Sequence, residues 1–524
     1  MKASDLFVRC LDEEGVRRVF GLPGEEAEDL LFSLRDSEIE FLPVRHEQGA
    51  AFMADVHGRL TGEAGVCLST LGPGATNLLT GVADAHLDKS PLVAVTAQGG
   101  QERLHHESHQ LLDVVDVFAP VTKWNTGIRN PNTIAESVRK AFKLAEHEKP
   151  GATHVELPED VAGMDADVSP IPPEPVPGAD PSAETLEEVV ALAEAAQRPL
   201  LLVGNGAVRA RAAESLRRFV AETELPAVST YMGKGVVSDA SEYSLMTLDS
   251  GADGGAKRAV ERADLVIAIG YDIAEHDPAQ WNPDGGTTVV HVDTEPAEVY
   301  QDYTPAVELV CDIGAAMRTL AARCVDLDFD TDWYAPIREE IVADVSAADL
   351  ADGMTVRGVL PVLREVMDDA DVLVSDVGSH KMAIAANFPT HEPNTCIISN
   401  GLASMGIAVP GALAADLATD QHVVAATGDG GFLMNAAEIE TATRAGCGYT
   451  IVVFNDEDYG LIDEKQTAHR GEHFGTEIAN PDFVTFAESF GIDAYRTTSE
   501  SELRDALAAT VQSDEMGLVE VPLA

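Results

Sequence analysis

"TGDGGFLMNAAEIETATRAGCGYTIVVFNDEDYG", Thr427–Gly460, is the stretch on which the fold turns. Preceded by the apolar "HVVAA", it divides into a buried strand, a "GDGG" turn, a helix over "FLMNAAEIETATRAG" and a second strand, "YTIVVF", closed by "NDEDYG". Both strands are continuously apolar rather than alternating, which is the pattern of parallel strands covered by helices on both faces. Strand, helix and parallel strand make a right-handed βαβ unit, so Asp429 and Asp456 are predicted at carboxyl-terminal strand ends, where open α/β sheets bind ligands. The helix opened by Gly430 and Gly431 offers free N–H groups that suit a phosphate. Two carboxylates would repel that phosphate unless a hard divalent cation lay between them. Mg²⁺ is held in this way, by one or two carboxylates together with phosphate oxygens. The acids are therefore expected to hold a metal, and the metal a diphosphate. Either fragment alone is as readily a tight turn or a solvated loop; their joint placement on one βαβ unit is what points to a site.

Similar apolar runs recur along the 524 residues: "GVRRVFGL", "GEAGVCLSTLGPG", "SPLVAVTAQ", "RPLLLVGNG", "ADLVIAIGYD", "TTVVHVDTEP" and "DVLVSDVGS". Alternating with helical patterns, they predict an α/β protein of doubly wound parallel sheets. A chain this long exceeds one core. The proline-rich "DVSPIPPEPVPGADPSAE", Asp167–Glu184, can be neither helix nor central strand and marks a linker, and a weaker break falls near "DLDFDTDWYAP", Asp326–Pro336. Three domains are expected, at 1–165, 185–325 and 350–524. The first and third both open with a helix and carry a Gly-rich turn.

Charge excludes some partners. With 89 Asp and Glu against 35 Lys and Arg, a formal charge of −54, contact with nucleic acid or an anionic membrane is not expected. Acidity spread through the whole chain matches the solvated surfaces of halophiles, whose self-repulsion salt screens. Six isolated cysteines, without a CxxC, suggest neither a zinc site nor a disulfide framework. No run of about eighteen apolar residues occurs, and a cytoplasmic location is expected.

"GDGG" followed by "FND" resembles the cofactor motif of thiamine diphosphate enzymes. The resemblance implies that Asp429, Asp456 and the backbone carbonyl of Asp458 bind Mg²⁺, with Asp456 standing where Asn is commoner. It makes Gly428, Gly430, Gly431 and Gly460 neighbours of thiamine diphosphate. "FLPVRHEQGAAFMADVHGRLTG" is similar to the family segment that carries the catalytic glutamate, here Glu47, which hydrogen-bonds the aminopyrimidine ring. On chemistry alone, a Glu at a helix start is commonly just a favourable helix-dipole charge. "VFGLPG", with Pro23, and "STLGPGATNLLTGVADAHLDKSPLVAVTAQ" flank it in the family's order. By the same resemblance Met405 supports the folded cofactor and Gly401 accepts from its amino group. Gly378, Ser379 and His380, in "DVGSH", form a second diphosphate-contacting turn. Family members build each site from two subunits, so a homodimer or homotetramer is implied.

Over essentially the whole chain the resemblance is closest to acetolactate synthases of the catabolic type, which lack flavin. "SHQLLDVVDVFAPVTKW" places His109, Gln110 and Lys123 as substrate-pocket candidates. The Arg-Phe-Asp-Asp-Arg type run of flavin-binding relatives is absent, so FAD is not expected. Lys465 stands where biosynthetic relatives carry a Trp that favours 2-oxobutyrate, and "HKMAIAAN" lacks a Trp found in catabolic ones. The implied reaction joins two molecules of pyruvate to 2-acetolactate with loss of CO₂. Alternatives are another thiamine-dependent 2-oxo-acid decarboxylase or aldehyde lyase, a catalytically silent paralogue or subunit, and a nicotinamide oxidoreductase built on "GNGAV" at Gly204. The last is a single GxG, more often a structural turn.

Overall fold

The computed structural model describes residues 1–248, 254–348, 350 and 353–523. Three six-stranded sheets, every strand pair parallel, follow one another along the chain. The first contains β1 (Arg18–Gly21), β2 (Glu40–Pro43), β3 (Gly65–Ser69), β4 (Leu92–Gln98), β5 (Trp124–Gly127) and β6 (Ala152–Pro158). The middle sheet contains β7 (Pro199–Val203), β8 (Ala227–Ser229), β9 (Ser244–Thr247), β10 (Leu265–Ile269), β11 (Thr288–Asp293) and β12 (Val307–Val310). The last contains β13 (Val372–Ser375), β14 (Cys396–Ile398), β15 (Val423–Gly428), β16 (Thr450–Asn455), β17 (Asp493–Arg496) and β18 (Gly517–Pro522).

The first and last sheets share one topology, β2-β1-β3-β4-β6-β5 and β14-β13-β15-β16-β18-β17. The middle one runs β12-β11-β10-β7-β8-β9, the doubly wound order of dinucleotide-binding folds. In the shared topology the chain leaves β13 and β15 toward opposite edges, as it does β1 and β3. Such a reversal opens a crevice beyond the carboxyl ends of the two strands.

The strands form where the apolar runs predict them because both faces are covered. β4, β6 and β10 have no exposed residue. One core joins the first and last sheets. In the helix Glu47–Thr61, Phe52, Met53 and Val56 are fully buried beside Val409, Leu413 and Phe432. Each such large side chain contributes about 1.5–3 kcal/mol by leaving water. Asp167–Pro181 has no helix or strand and stays largely exposed. At the end of the weaker break, Tyr334 and Ile337, at the start of the helix Ala335–Ser346, pack into the core of the middle sheet. All six cysteines are buried and unpaired. Among the described residues no helix is long and apolar enough to cross a membrane.

The long helix expected over "FLMNAAEIETATRAG" is instead two, Asp429–Asn435 and Glu438–Ala445. The break lets two polar side chains satisfy other segments. Asn435 Nδ2 donates to the Gly406 carbonyl at 2.8 Å, and the Glu438 carboxylate turns to the backbone of Arg45 and His46.

Candidate active site

β15 and β16 are hydrogen-bonded neighbours, with Gly428 opposite Phe454, so Asp429 and Asp456 emerge side by side at one sheet edge. They line a cavity of about 240 Å³ with Gly378, Ser379, His380, Met405, Gly428, Gly430, Gly431, Asp458 and Gly460. Asp429 is 2% exposed. Its Oδ1 accepts from Gly430 N at 2.7 Å, and its Oδ2 from Glu457 N at 2.9 Å and Asn480 Nδ2 at 2.6 Å. Burial raises its carboxyl above the ordinary carboxylate range. Asp456 is pushed up to about 6, first by burial and then by the neighbouring Asp429 carboxylate. The pair is thus held together against its own repulsion, a situation a divalent cation would relieve.

Two buried polar atoms at this cavity have no hydrogen-bond partner among the described residues, Asp458 Oδ1 and His380 Nε2. Burial lowers His380 to about 4, so the imidazole is neutral and one nitrogen can donate to an anion. It stacks on Phe454 with ring centroids 5.9 Å apart. Cation-seeking carboxylates on one side and an unsatisfied neutral donor on the other fit a metal diphosphate. No cluster of three or more His, Cys, Asp or Glu side chains forms a metal cage among the described residues. An ion completing its shell with phosphate oxygens and water needs none.

Two networks fix the loop carrying Met405. Asp376, fully buried, accepts from Gly406 N at 2.8 Å, Ala408 N at 3.3 Å and Thr427 Oγ1 at 3.1 Å. At the other end, Ser399 donates to Asp84 at 2.8 Å and Asn400 N to Asp88 at 3.0 Å. Both acids are bound by the buried Arg59, which also grips Asp55 at 2.8 Å.

In the first sheet, Pro23 follows β1, Glu47 follows β2 and the turn Gly72–Gly74 follows β3. Glu47 is 4% exposed and opens its helix; its Oε2 accepts from Asn77 Nδ2 at 3.0 Å. Gln110, exposed and with φ +55°, lies against Gly72, where an added Cβ would come within 2.6 Å of its carbonyl oxygen. Pro23, Glu47 and Gln110 are thus gathered at one edge. Glu47 does not line the cavity that holds Asp429 in the same chain.

Two expected residues are placed elsewhere. Lys123 precedes β5, at the amino-terminal edge opposite Glu47, and its ammonium donates to the carbonyls of His147 at 2.8 Å and Lys149 at 2.6 Å. Its position in the chain close to Gln110 does not survive the turn into β5. Gly401 also lies outside the Asp429 cavity of its own chain; its N–H is tied to Asp88 of the first domain, a bond in which its carbonyl, the group the resemblance assigns to the cofactor, takes no part. Sequence reading missed Asn480, Asp376 and Glu438. Each acts on residues far away in the chain, and no local pattern marks such contacts.

Three family models match in order: the N-terminal TPP binding domain of thiamine pyrophosphate enzymes over residues 1–117, the central domain over 186–320, and the C-terminal TPP binding domain over 376–521. Similarity extends through the whole chain. An acetolactate synthase of Bacillus subtilis (strain 168) is 33% identical, covering 100% of this chain and 93% of the relative. A catabolic acetolactate synthase of Raoultella terrigena is 34% identical over 99% of this chain and 94% of the relative. A probable acetolactate synthase large subunit of Methanocaldococcus jannaschii is 32% identical over 99% and 92%. With three matching domains and full-length identity above 30%, the chain belongs to the thiamine pyrophosphate enzymes and, within them, to the acetolactate synthase family.

Proposed function

We propose that this protein condenses two molecules of pyruvate, with one proton, to 2-acetolactate and CO₂, using thiamine diphosphate and Mg²⁺. The observation that carries the reading is the pairing of β15 with β16, which sets Asp429 and Asp456 at one cavity facing the unsatisfied His380. Bound thiamine diphosphate supplies the electron sink that accepts the pair released when a 2-oxo acid loses CO₂. Asp429, Asp456 and the Asp458 carbonyl would hold the metal, whose charge would offset that of the diphosphate. The Gly428–Gly431 and Gly378–His380 turns cradle the phosphate oxygens, and Met405 packs against the organic part of the cofactor.

Glu47 handles the proton. Asn77 fixes its Oε2, and Oε1 takes no hydrogen bond among the described residues, which leaves Oε1 the atom that would share a proton with the aminopyrimidine ring of bound thiamine diphosphate. Because Glu47 lies outside the Asp429 cavity of its own chain, it serves the cavity of a second copy, and the working unit is a homodimer or a larger homo-oligomer. Gln110, with His109 beside it, faces the acceptor pyruvate.

The middle sheet is read as free of FAD and nicotinamide. At its Gly-rich turn, Asn205 N already donates to Glu275 Oε1 at 3.0 Å, so a carboxylate occupies the place a ligand phosphate would need. A cytoplasmic location completes the reading.

Incubation with pyruvate, Mg²⁺ and thiamine diphosphate at high salt should yield acetolactate. Acetaldehyde alone would replace the carboligase reading by a simple decarboxylase. Unconsumed pyruvate would point to a silent subunit.

A further inference from the structure

Glu438 is 1% exposed, and no lysine or arginine pairs with it among the described residues. Its Oε1 accepts from His46 N at 3.0 Å and Arg45 N at 3.1 Å, and its Oε2 from Thr441 Oγ1 at 2.6 Å. Burying a carboxylate without a cation is costly unless hydrogen bonds repay it, and here most of them come from two peptide N–H groups of a different domain. Those two residues immediately precede Glu47. His46 caps the helix Glu47–Thr61, its Nδ1 accepting from Gln48 N at 3.1 Å. Gly49 leaves room for the approach, since a Cβ there would stand 2.7 Å from Glu438 Oε1. The same helix adds a second clamp, Arg45 Nε to Glu440 Oε2 at 2.7 Å.

The segment Asp429–Ala445 therefore faces two ways. Its start lines the metal-diphosphate cavity of its own chain, and its second helix fixes the backbone from which Glu47 projects. We propose that Glu438 is the positioning residue for Glu47, so that each chain sets the proton-handling group of its partner's active site rather than of its own. This rests on the shared-site reading given under Proposed function.

Hybrid dimers separate the two. One chain carries Glu47→Gln and the other Asp429→Ala, so a single intact site remains, built from the cavity of the first and Glu47 of the second. Adding Glu438→Gln to the Asp429→Ala chain should lower kcat of that site about tenfold, the size of one lost charge-assisted hydrogen bond, with cofactor affinity unchanged. Adding it to the Glu47→Gln chain should leave kcat within about twofold. In the cofactor-free protein, amide hydrogen exchange at Arg45 and His46 should quicken in the substituted chain alone. Equal losses in both hybrids, from misfolding or from a role in the chain's own cavity, would overturn the inference, as would unchanged exchange at the two amides. A starting hybrid with no activity would instead sink the shared-site reading itself.

Discussion

Replacing Asp456 by Asn removes a carboxylate that burial and the neighbouring Asp429 both penalise at the proposed metal site. Asp456 is raised from 3.8 to about 6, chiefly by burial and secondly by Asp429. At 1.36 kcal/mol per unit that shift corresponds to about 3 kcal/mol of penalty on the ionised form. The side chain is exposed over more than a third of its surface, so solvent screening reduces this to about 1 kcal/mol. The sign follows from linkage. A carboxyl whose folded-state value is raised imposes no cost below about 3.8, an increasing cost as pH rises, and the full cost above about 6. The cofactor-free Asp456→Asn protein should therefore match the parent near pH 4 and exceed it by about 1 kcal/mol at pH 8. Urea unfolding at constant high salt, without Mg²⁺ or thiamine diphosphate, measures the difference at both pH values. With both added, the parent should release a proton on binding near pH 6 and the variant release less. A variant no more stable than the parent at pH 8 would refute the claim that burial and the Asp429 carboxylate together penalise the ionised Asp456.

Glu47→Gln should lower turnover by about 10²–10⁴-fold while leaving equilibrium binding of thiamine diphosphate nearly intact, because the role proposed for the side chain is proton handling rather than anchoring; isothermal titration beside steady-state kinetics checks both. Glu275 is buried and pushed up to about 7 by burial and by the Asp272 carboxylate, so its ionised form costs stability as pH rises from about 4.5 through about 7. Glu275→Gln keeps the acceptor for Asn205 N and should be more stable than the parent at pH 8 by about 3 kcal/mol, read from thermal melts, and no more stable at pH 4.5. Withdrawing salt should lower the melting temperature steadily, since a charge of −54 repels itself when unscreened; a melting temperature indifferent to ionic strength would contradict the halophile reading of the surface.

Features that depend on neighbours within a few residues are legible in the sequence. Continuous apolar runs bounded by Gly, Pro and Asp specify buried parallel strands, and each strand the longer runs predict is present. Asp429 and Asp456 could be placed together because a βαβ unit is short and its two strands pair. Pro23 and Glu47 follow the neighbouring strands β1 and β2, whereas Gln110 reaches the same edge only through the loop after β4, which lies against Gly72.

Only the tertiary structure decided the rest, since its determinants are far apart in the chain. Lys123 and Gln110 stand close in sequence, yet the turn into β5 sends the lysine to the opposite edge of the sheet. The Gly401 N–H is tied to Asp88 of the first domain, and the break after Asn435 accompanies its bond to Gly406. Asn480, Asp376 and Glu438 have no periodicity or spacing that marks them. Their partners are chosen by which backbone groups folding leaves buried and unpaired, a demand that exists only once the domains have come together.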